Sequence, residues 1–250
     1  MSLDFAFAWM MVMLRSIGLI LQLPLMAGRP IPIPVRVAIG ACLATLLAGI
    51  VPAGTLPTDI WAFLAAVTME VLLGFALGFV VRLAFGAVEM AGRLISTEIG
   101  LMAGPGMGAP EPANEPLAAL LSSFAVVLFF LFGAHQAVIS AFARSFFLAG
   151  AGQGGFSAEA GESLIRGTAH LLELGLRIAA PFIALNFLVT LAFSALGRAV
   201  PRMNVFIVSF SARALAGIGL LSAAGALIAR YLFQEFGDMP FRMLQLLPLK

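Results

Sequence analysis

Four charged residues lie within or near the ends of long apolar stretches: Arg15, Glu70, Arg177 and Arg213. A charge near the centre of a bilayer costs at least about 2.5–3.5 kcal/mol, so such charges are expected to pair or to face a polar interior. Two interpretations stay open, namely structural pairing between helices and an ion pathway or pore lining. Glu173 precedes Arg177 by one helical turn, so these two side chains can pair on one helix.

The chain lacks the motifs that the common hydrolytic and nucleotide-dependent sites require. It has no P-loop, no H-E-x-x-H and no G-x-S-x-G. Residues 150–155 match G-x-G-x-x-G, but an apolar helix is expected before them where a dinucleotide site needs a strand. His135 and His170 are far apart, and the single cysteine, Cys42, cannot form a C-x-x-C site. We therefore expect no enzyme, no metal and no cofactor.

Composition indicates a membrane protein. Apolar residues make up 62% of the 250 residues, and charged residues make up only 10%, against about 25% in an ordinary soluble domain. That leaves too few polar side chains to coat a soluble globule. The 14 basic residues are nearly balanced by 12 acidic ones and form no run, which disfavours nucleic-acid binding.

Six apolar stretches approach the length of about 20 residues that a spanning helix needs. Clusters of proline and glycine, which interrupt helices, separate most of them. The stretches are residues 5–27, 35–51, 60–81, 117–132, 171–196 and 205–229. We predict an all-α, integral-membrane-type bundle formed by a single domain, residues 1–250. The third stretch is expected to continue as an amphipathic helix to about Met102, with Glu89 and Arg93 paired one turn apart.

Gly74 and Gly78 form a G-x-x-x-G pattern inside the third stretch. Without a Cβ at these positions, two helix backbones can approach closely. The alternative is chance spacing in a chain with 26 glycines.

The segment between the third and fourth stretches has an unusual composition. Residues 104–116 contain four prolines and three glycines, whereas a flexible surface linker is usually rich in polar residues such as serine. Small residues together with a methionine suit a place where several chains crowd around an axis, because methionine is deformable and can fill or yield a gap.

A series of motifs runs along nearly the whole chain. It comprises residues 15–18, the proline-rich stretch 28–36 with Pro32 and Arg36, residues 70–78 with Gly74 and Gly78, residues 91–95, the region of His135, Pro181, and residues 196–206 with Arg198, Pro201, Asn204 and Phe206. In order and spacing these motifs resemble the FliR/SctT family of type III secretion export-gate subunits, most closely its flagellar branch, FliR. The chain departs from the family pattern at Arg202, where glutamine is usual, and at residues 209–211.

The resemblance implies a non-enzymatic subunit of the flagellar export gate in the bacterial inner membrane, at the basal body. Such a subunit joins FliP-like and FliQ-like subunits, with an FlhB-like subunit as a further partner, in a helical pore complex of bent helical hairpins. Unfolded export substrates pass through this pore. An injectisome homologue of the SctT type is the alternative. A secondary transporter is a further alternative, but it predicts an internal repeat, which the sequence lacks.

The resemblance also implies that the glycine-rich loop contributes to the plug that closes the pore. The matching segment here is residues 102–116. Its candidate plug residues are Met102, Gly104, Pro105, Gly106, Met107, Gly108, Pro110 and Pro112.

Overall fold

The computed structural model describes residues 3–23, 32–52, 54, 57, 59–100, 116–200 and 204–248. Within these residues the chain forms seven α-helices and no β-strand. The helices are α1 (Leu3–Gln22), α2 (Ile33–Leu47), α3 (Ile60–Glu98), α4 (Pro116–Leu131), α5 (Ala134–Leu148), α6 (Ala160–Ala199) and α7 (Val205–Leu244). The predicted all-α fold class is confirmed.

Four of the described helices, α1, α3, α6 and α7, are long and apolar enough to cross a membrane. Helices α4 and α5 pass the same test only as a bent pair, which raises the number of candidate spans to five. Each of the six predicted apolar stretches overlaps a described helix, but the second overlaps α2, which has only 15 residues. At 1.5 Å per residue, α2 is about 22 Å long, shorter than a hydrocarbon core of about 30 Å.

Hydropathy alone missed α5 and the polar ends of two long helices. Helix α5 carries His135, Gln136 and Arg144, and these residues interrupt its apolar character. Helix α6 begins at Ala160 rather than near residue 171, and α7 continues past residue 229 to Leu244. These ends form helix because amphipathic segments can bury one face against protein and leave the other polar. The expected extension of α3 beyond residue 81 is present as far as Glu98.

Local sequence explains several helix boundaries. Pro34 lies in the first turn of α2, where its missing N–H needs no intrahelical partner. Gly100 follows α3 with a φ of +78°, and Gly133 separates α4 from α5 with a φ of +70°. Both angles are left-handed, a conformation that glycine adopts without steric cost. At the start of α7, the Asn204 side-chain oxygen accepts the N–H of Ile207 at 3.4 Å.

The chain divides into two compact units, and α3, α4, α6 and α7 each contribute to both. Unit 1 comprises Met1–Ala84, Phe129–Ala169 and Gln234–Lys250, and unit 2 comprises Phe85–Leu128 and His170–Phe233. The assignment of residues 1–250 to one domain stays a prediction.

Unit 1 has an apolar core around the crossing of α1 and α3. Met11, Leu73 and Leu77 are fully buried in it. On α5, the rings of Phe142 and Phe146 pack edge to face with centroids 5.2 Å apart. After α7, the chain returns to the same core. The buried side chains there are Leu246, which packs with Ala76 and Ala160, and Leu247, which packs with Leu73 and Ala149.

Unit 2 buries one face of α3 and leaves much of α6 and α7 uncovered. Along α3, the fully buried side chains recur every three or four residues, as on one helix face: Ala87, Val88, Ala91 and Ile95. In contrast, only 17% of the most apolar window of α6, and the same share of that of α7, is buried, against 61% for α3. Large apolar side chains such as Phe187 and Leu215 are exposed there.

Candidate functional site

Arg15 of α1 and Glu70 of α3 form an ion pair that is shielded from solvent. Arg15 Nε lies 2.5 Å from Glu70 Oε2, and Arg15 Nη2 lies 2.8 Å from Glu70 Oε1. Both side chains are 0% exposed. This two-point contact matches the planar guanidinium to the planar carboxylate, so it fixes the orientation of each group as well as their distance.

Two further N–H groups of Arg15 bond to α5 and the residue that follows it. Nη1 donates to Ser145 Oγ at 3.0 Å, and Nη2 also donates to the backbone oxygen of Ala149 at 3.0 Å. The Phe146 ring centre lies 4.0 Å from Arg15 Cζ, within the range of a cation–π contact. A buried charge is tolerated when it is paired and its other hydrogen-bonding positions are satisfied, and each guanidinium nitrogen of Arg15 has at least one hydrogen-bond acceptor.

The glycine-rich loop after α5 reaches the same cluster through Gly152. The Gly152 N–H donates to Glu70 Oε1 at 2.8 Å. Gly152 has a φ of +79°, and a Cβ at this position would lie 2.7 Å from the Phe7 ring. Both the conformation and the lack of space therefore require glycine. The loop is a partly buried connector, and Glu70 already accepts the Gly152 N–H that the phosphate of a dinucleotide would need.

Glycines allow the backbones of α1 and α3 to cross at this level. A Cβ on Gly74 would collide with the backbone of Arg15, and one on Gly78 would lie 2.6 Å from the Leu19 carbonyl oxygen. From the other side, a Cβ on Gly18 would lie 2.7 Å from the Val71 carbonyl oxygen. The structure therefore places both glycines of the G-x-x-x-G pattern at a close helix crossing.

Arg15, Glu70, Ser145, Ala149 and Gly152 together form what we call the buried clamp. It joins α1, α3, α5 and the loop after α5 inside unit 1. Its charged and polar groups face one another, so the arrangement is suited to holding helices. In the described part of the chain, no group of three His, Cys, Asp or Glu side chains could hold a metal ion.

Arg177 and Arg213 belong to unit 2, whereas the buried clamp belongs to unit 1. Arg177 Nη2 lies 2.6 Å from Glu173 Oε1 one turn earlier on α6, with both side chains more than half exposed. Arg213 Nη2 donates to Thr190 Oγ1 at 3.3 Å, and its buried Nε has no hydrogen-bond partner within the described residues.

Sequence reasoning missed four polar participants. Ser145 and Gly152 complete the buried clamp, and Glu98 accepts a hydrogen bond from Asn186 Nδ2 at 2.6 Å in unit 2. A usable signal existed for two of them. Asn186 interrupts an apolar run, and Ser145 precedes two phenylalanines, so each is a polar group that needs a partner once buried.

Several other residues that carry the family resemblance lie at helix ends or within helices. Pro32 precedes α2, Arg36 lies half-buried in α2, α6 continues through Pro181, and Arg198 lies in the last turn of α6, where a positive charge suits the helix dipole. Phe206 is in the first turn of α7.

Pro201 and all candidate plug residues lie outside the described residues: Met102, Gly104, Pro105, Gly106, Met107, Gly108, Pro110 and Pro112.

Similarity to known proteins agrees with this architecture. Residues 6–239 match the family of bacterial export proteins, family 1. The chain is 29% identical over 241 residues to the flagellar biosynthetic protein FliR of Escherichia coli (strain K12), covering 95% of this chain and 92% of that protein. It is 30% identical over 240 residues to FliR of Pectobacterium carotovorum subsp. carotovorum, covering 93% and 90%.

A secretion-system relative matches over a shorter range. The chain is 29% identical over 157 residues to the secretion system apparatus protein SsaT of Salmonella typhimurium, covering 62% of this chain and 61% of that protein. The family match extends over most of the chain, from α1 into α7. The chain therefore belongs to family 1 of the bacterial export proteins.

Proposed function

We propose that this chain is the FliR-type subunit of the export gate of a flagellar type III secretion system. The observation that carries the proposal is the nearly full-length similarity to a protein named for flagellar biosynthesis, of which 92% is covered. An injectisome gate subunit of the SctT type is the second candidate. The shorter matches to SsaT and to the Yop proteins translocation protein T of Yersinia pestis favour it.

In this proposal the chain joins FliP-like and FliQ-like subunits, with an FlhB-like subunit as a further partner, to form the channel for unfolded flagellar proteins. It acts as a structural component and not as an enzyme. The apolar faces of α6 and α7 support this role, since only 17% of their most apolar windows is buried within the chain. Apolar surface on this scale needs lipid or protein to cover it. The gate lies in the bacterial inner membrane, at the basal body.

The buried clamp gives unit 1 a fixed core for this assembly. A channel wall must keep its helices in one arrangement while substrates move past it. The clamp supports that requirement because a two-point ion pair with further hydrogen bonds specifies which faces of α1, α3 and α5 meet.

The plug of the channel is proposed to be formed by residues 102–112. Their glycines and prolines support this role, because glycine permits backbone conformations that other residues rarely adopt. The methionines at 102 and 107 add deformable side chains that can seal a narrow passage.

Deletion of the gene in its native host tests the proposed function. We expect loss of swimming and of secretion of flagellar filament protein, with both restored by a tagged copy of the chain. Purification through that tag is expected to recover FliP-like and FliQ-like subunits. Normal motility combined with loss of injectisome substrate secretion would favour the second candidate, and normal secretion by both routes would contradict both.

A further inference from the structure

Two side chains of opposite charge occupy unit 2 without an ion-pair partner among the described residues. Glu98, the last residue of α3, accepts a hydrogen bond from Asn186, and Arg213 of α7 donates one to Thr190. Asn186 and Thr190 lie one turn apart on the same face of α6. We name these four residues the polar seam: Glu98, Asn186, Thr190 and Arg213.

The end of α3 crosses α7 at the level of the seam. Ile99 packs on the position of Gly217, where a Cβ would collide with its side chain. A Cβ on Gly100 would lie 2.9 Å from the Phe210 ring. Residues 210, 213 and 217 share one helix face by their spacing, so Arg213 lies on the face of α7 that meets the end of α3.

The hydrogen bonding of the seam is incomplete within the chain. Arg213 Nε and Asn186 Oδ1 are both buried and have no hydrogen-bond partner in the described part of the molecule. The Asn186 amide cannot be turned round to use its oxygen, because the Glu98 carboxylate accepts hydrogen bonds and needs the amide nitrogen. Buried donors and acceptors without partners are destabilising.

Glu98 has a further reason to require a cation. As the last residue of α3 it lies at the negative end of the helix dipole, where a carboxylate is unfavourable. Asn186 supplies a neutral donor only. By contrast, the exposed Arg177 on α6 already has Glu173, on the same helix, as its ion-pair partner. Unit 2 therefore holds one acidic and one basic side chain without an ion-pair partner among the described residues, and their hydrogen-bond partners lie one turn apart on α6.

The surface beside the seam is apolar and open. Ile183, one turn before Asn186 on α6, is 38% exposed, and Phe210, one turn before Arg213 on α7, is 48% exposed. A helix lying on this surface would cover apolar side chains and reach both charges together. A helix without matching charges would leave Arg213 and Glu98 unpaired in an apolar contact, which is costly.

We propose that the polar seam is the docking site for a helix of a neighbouring gate subunit. That helix presents a carboxylate to the Arg213 guanidinium and a basic side chain to the Glu98 carboxylate. The proposal rests on the proposed function and adds the location and the charge pattern of the contact. Charge complementarity of this kind fixes register and excludes wrong partners.

The test compares charge-neutral variants in the assembled gate. Tagged chain is purified from native-host membranes, and the recovered gate subunits are quantified for wild type, Arg213→Gln and Glu98→Gln. We expect each variant to recover at least about tenfold less partner, as for a truncated interfacial ion pair. Arg177→Gln is the matched control, because its pair is local and exposed, and it is expected to stay within about twofold. Full recovery with Arg213→Gln would overturn the proposal.

Two further measurements separate assembly from folding. Thermal unfolding of the isolated chain in detergent is expected to be the same for Arg213→Gln and wild type. Arg213→Lys, which keeps the charge, is expected to retain most of the recovered partner. If Arg213→Gln unfolds the chain, Arg213→Glu is tested instead. This variant should lose assembly, and replacing the opposing acidic residue of the partner by lysine must then restore it. Failure to restore it would contradict the proposal.

Three results would assign the charges to other partners and overturn the proposal. The exchange Glu98→Arg with Arg213→Glu would restore assembly if the two residues pair with each other. Replacing Glu111 and Glu115 by glutamine would reproduce the Arg213→Gln loss if this chain supplies the carboxylate. Stabilisation of the purified chain by phosphatidylglycerol nanodiscs, lost in Arg213→Gln, would indicate a lipid phosphate. A wild-type chain that recovers no gate subunit would instead refute the proposed function.

Discussion

Arg15 and Glu70 lie 55 positions apart in the sequence and form a two-point ion pair from which solvent is excluded. Such a pair contributes little net stability when compared with well-packed apolar residues, because both charges lose their hydration. The pair instead fixes orientation, because the guanidinium nitrogens and carboxylate oxygens form two parallel hydrogen bonds only in certain geometries. The pair therefore determines which faces of α1 and α3 meet, and Ser145 and Gly152 extend that choice to α5 and its following loop.

Removing one partner of this pair should destabilise the chain strongly. We expect Glu70→Ala to lower the free energy of unfolding by about 3–5 kcal/mol, because it leaves the Arg15 guanidinium buried without its counter-charge. Denaturant unfolding in detergent measures the change. Glu173→Ala removes the exposed pair with Arg177 and should cost at most about 0.5 kcal/mol.

Replacing both partners together should recover much of that loss. The double variant Arg15→Met with Glu70→Leu fills a similar volume without a buried charge, and buried pairs replaced in this way are often neutral. Unfolding of the double variant is measured beside the two single variants. A double variant no more stable than Glu70→Ala would contradict this account of the pair.

The close crossing of α1 and α3 should not tolerate a methyl group. Gly74→Ala would place a Cβ against the backbone of Arg15, and a backbone cannot move aside as a flexible side chain can. We expect a loss of about 1–3 kcal/mol from overpacking, read from thermal unfolding. Gly161→Ala is the control because no atom lies within 4 Å of its added Cβ. It should be neutral or stabilising by up to about 1 kcal/mol.

The loop after α5 should depend on Gly152 and not on Gly155. Gly152→Ala forces a Cβ into the left-handed region and against Phe7, so we expect a loss of at least about 1–2 kcal/mol. Gly155→Ala meets open space and no left-handed angle, and should leave the unfolding midpoint nearly unchanged. Equal effects of the two variants would show that the loop is not held as the structure places it.

The proposed plug leads to a prediction about permeability. Deletion of residues 104–108 should increase passive ion flux across the membrane of non-secreting cells, because the resting channel would lose its seal. Membrane-potential dyes and conductance of the reconstituted gate measure this flux. Gly155→Ala serves as a control outside that segment. Unchanged ion flux and unchanged secretion after the deletion would contradict a plug role.

Much of the architecture could be predicted from residue type and helical spacing. The third apolar stretch predicted α3, and the one-turn spacing of Glu89 and Arg93 predicted their pairing, which the structure shows at 2.7 Å. The same spacing predicted the contact of Arg177 with Glu173. Such contacts depend only on 3.6 residues per turn. Helix α5 was not predicted from the sequence, because the burial of its residues depends on which other helices pack against it.

By itself, the sequence determined the class of protein, the helix interruptions at proline and glycine clusters, the family resemblance, and the need of each charge in an apolar stretch for a partner. Only the tertiary structure decided which partner each charge has. Arg15 meets Glu70 from a distant helix, whereas Arg213 has only Thr190 within the described residues. The physical reason is that helical periodicity fixes neighbours one turn apart, while contacts between helices depend on packing that glycines such as Gly74 permit and bulkier residues forbid.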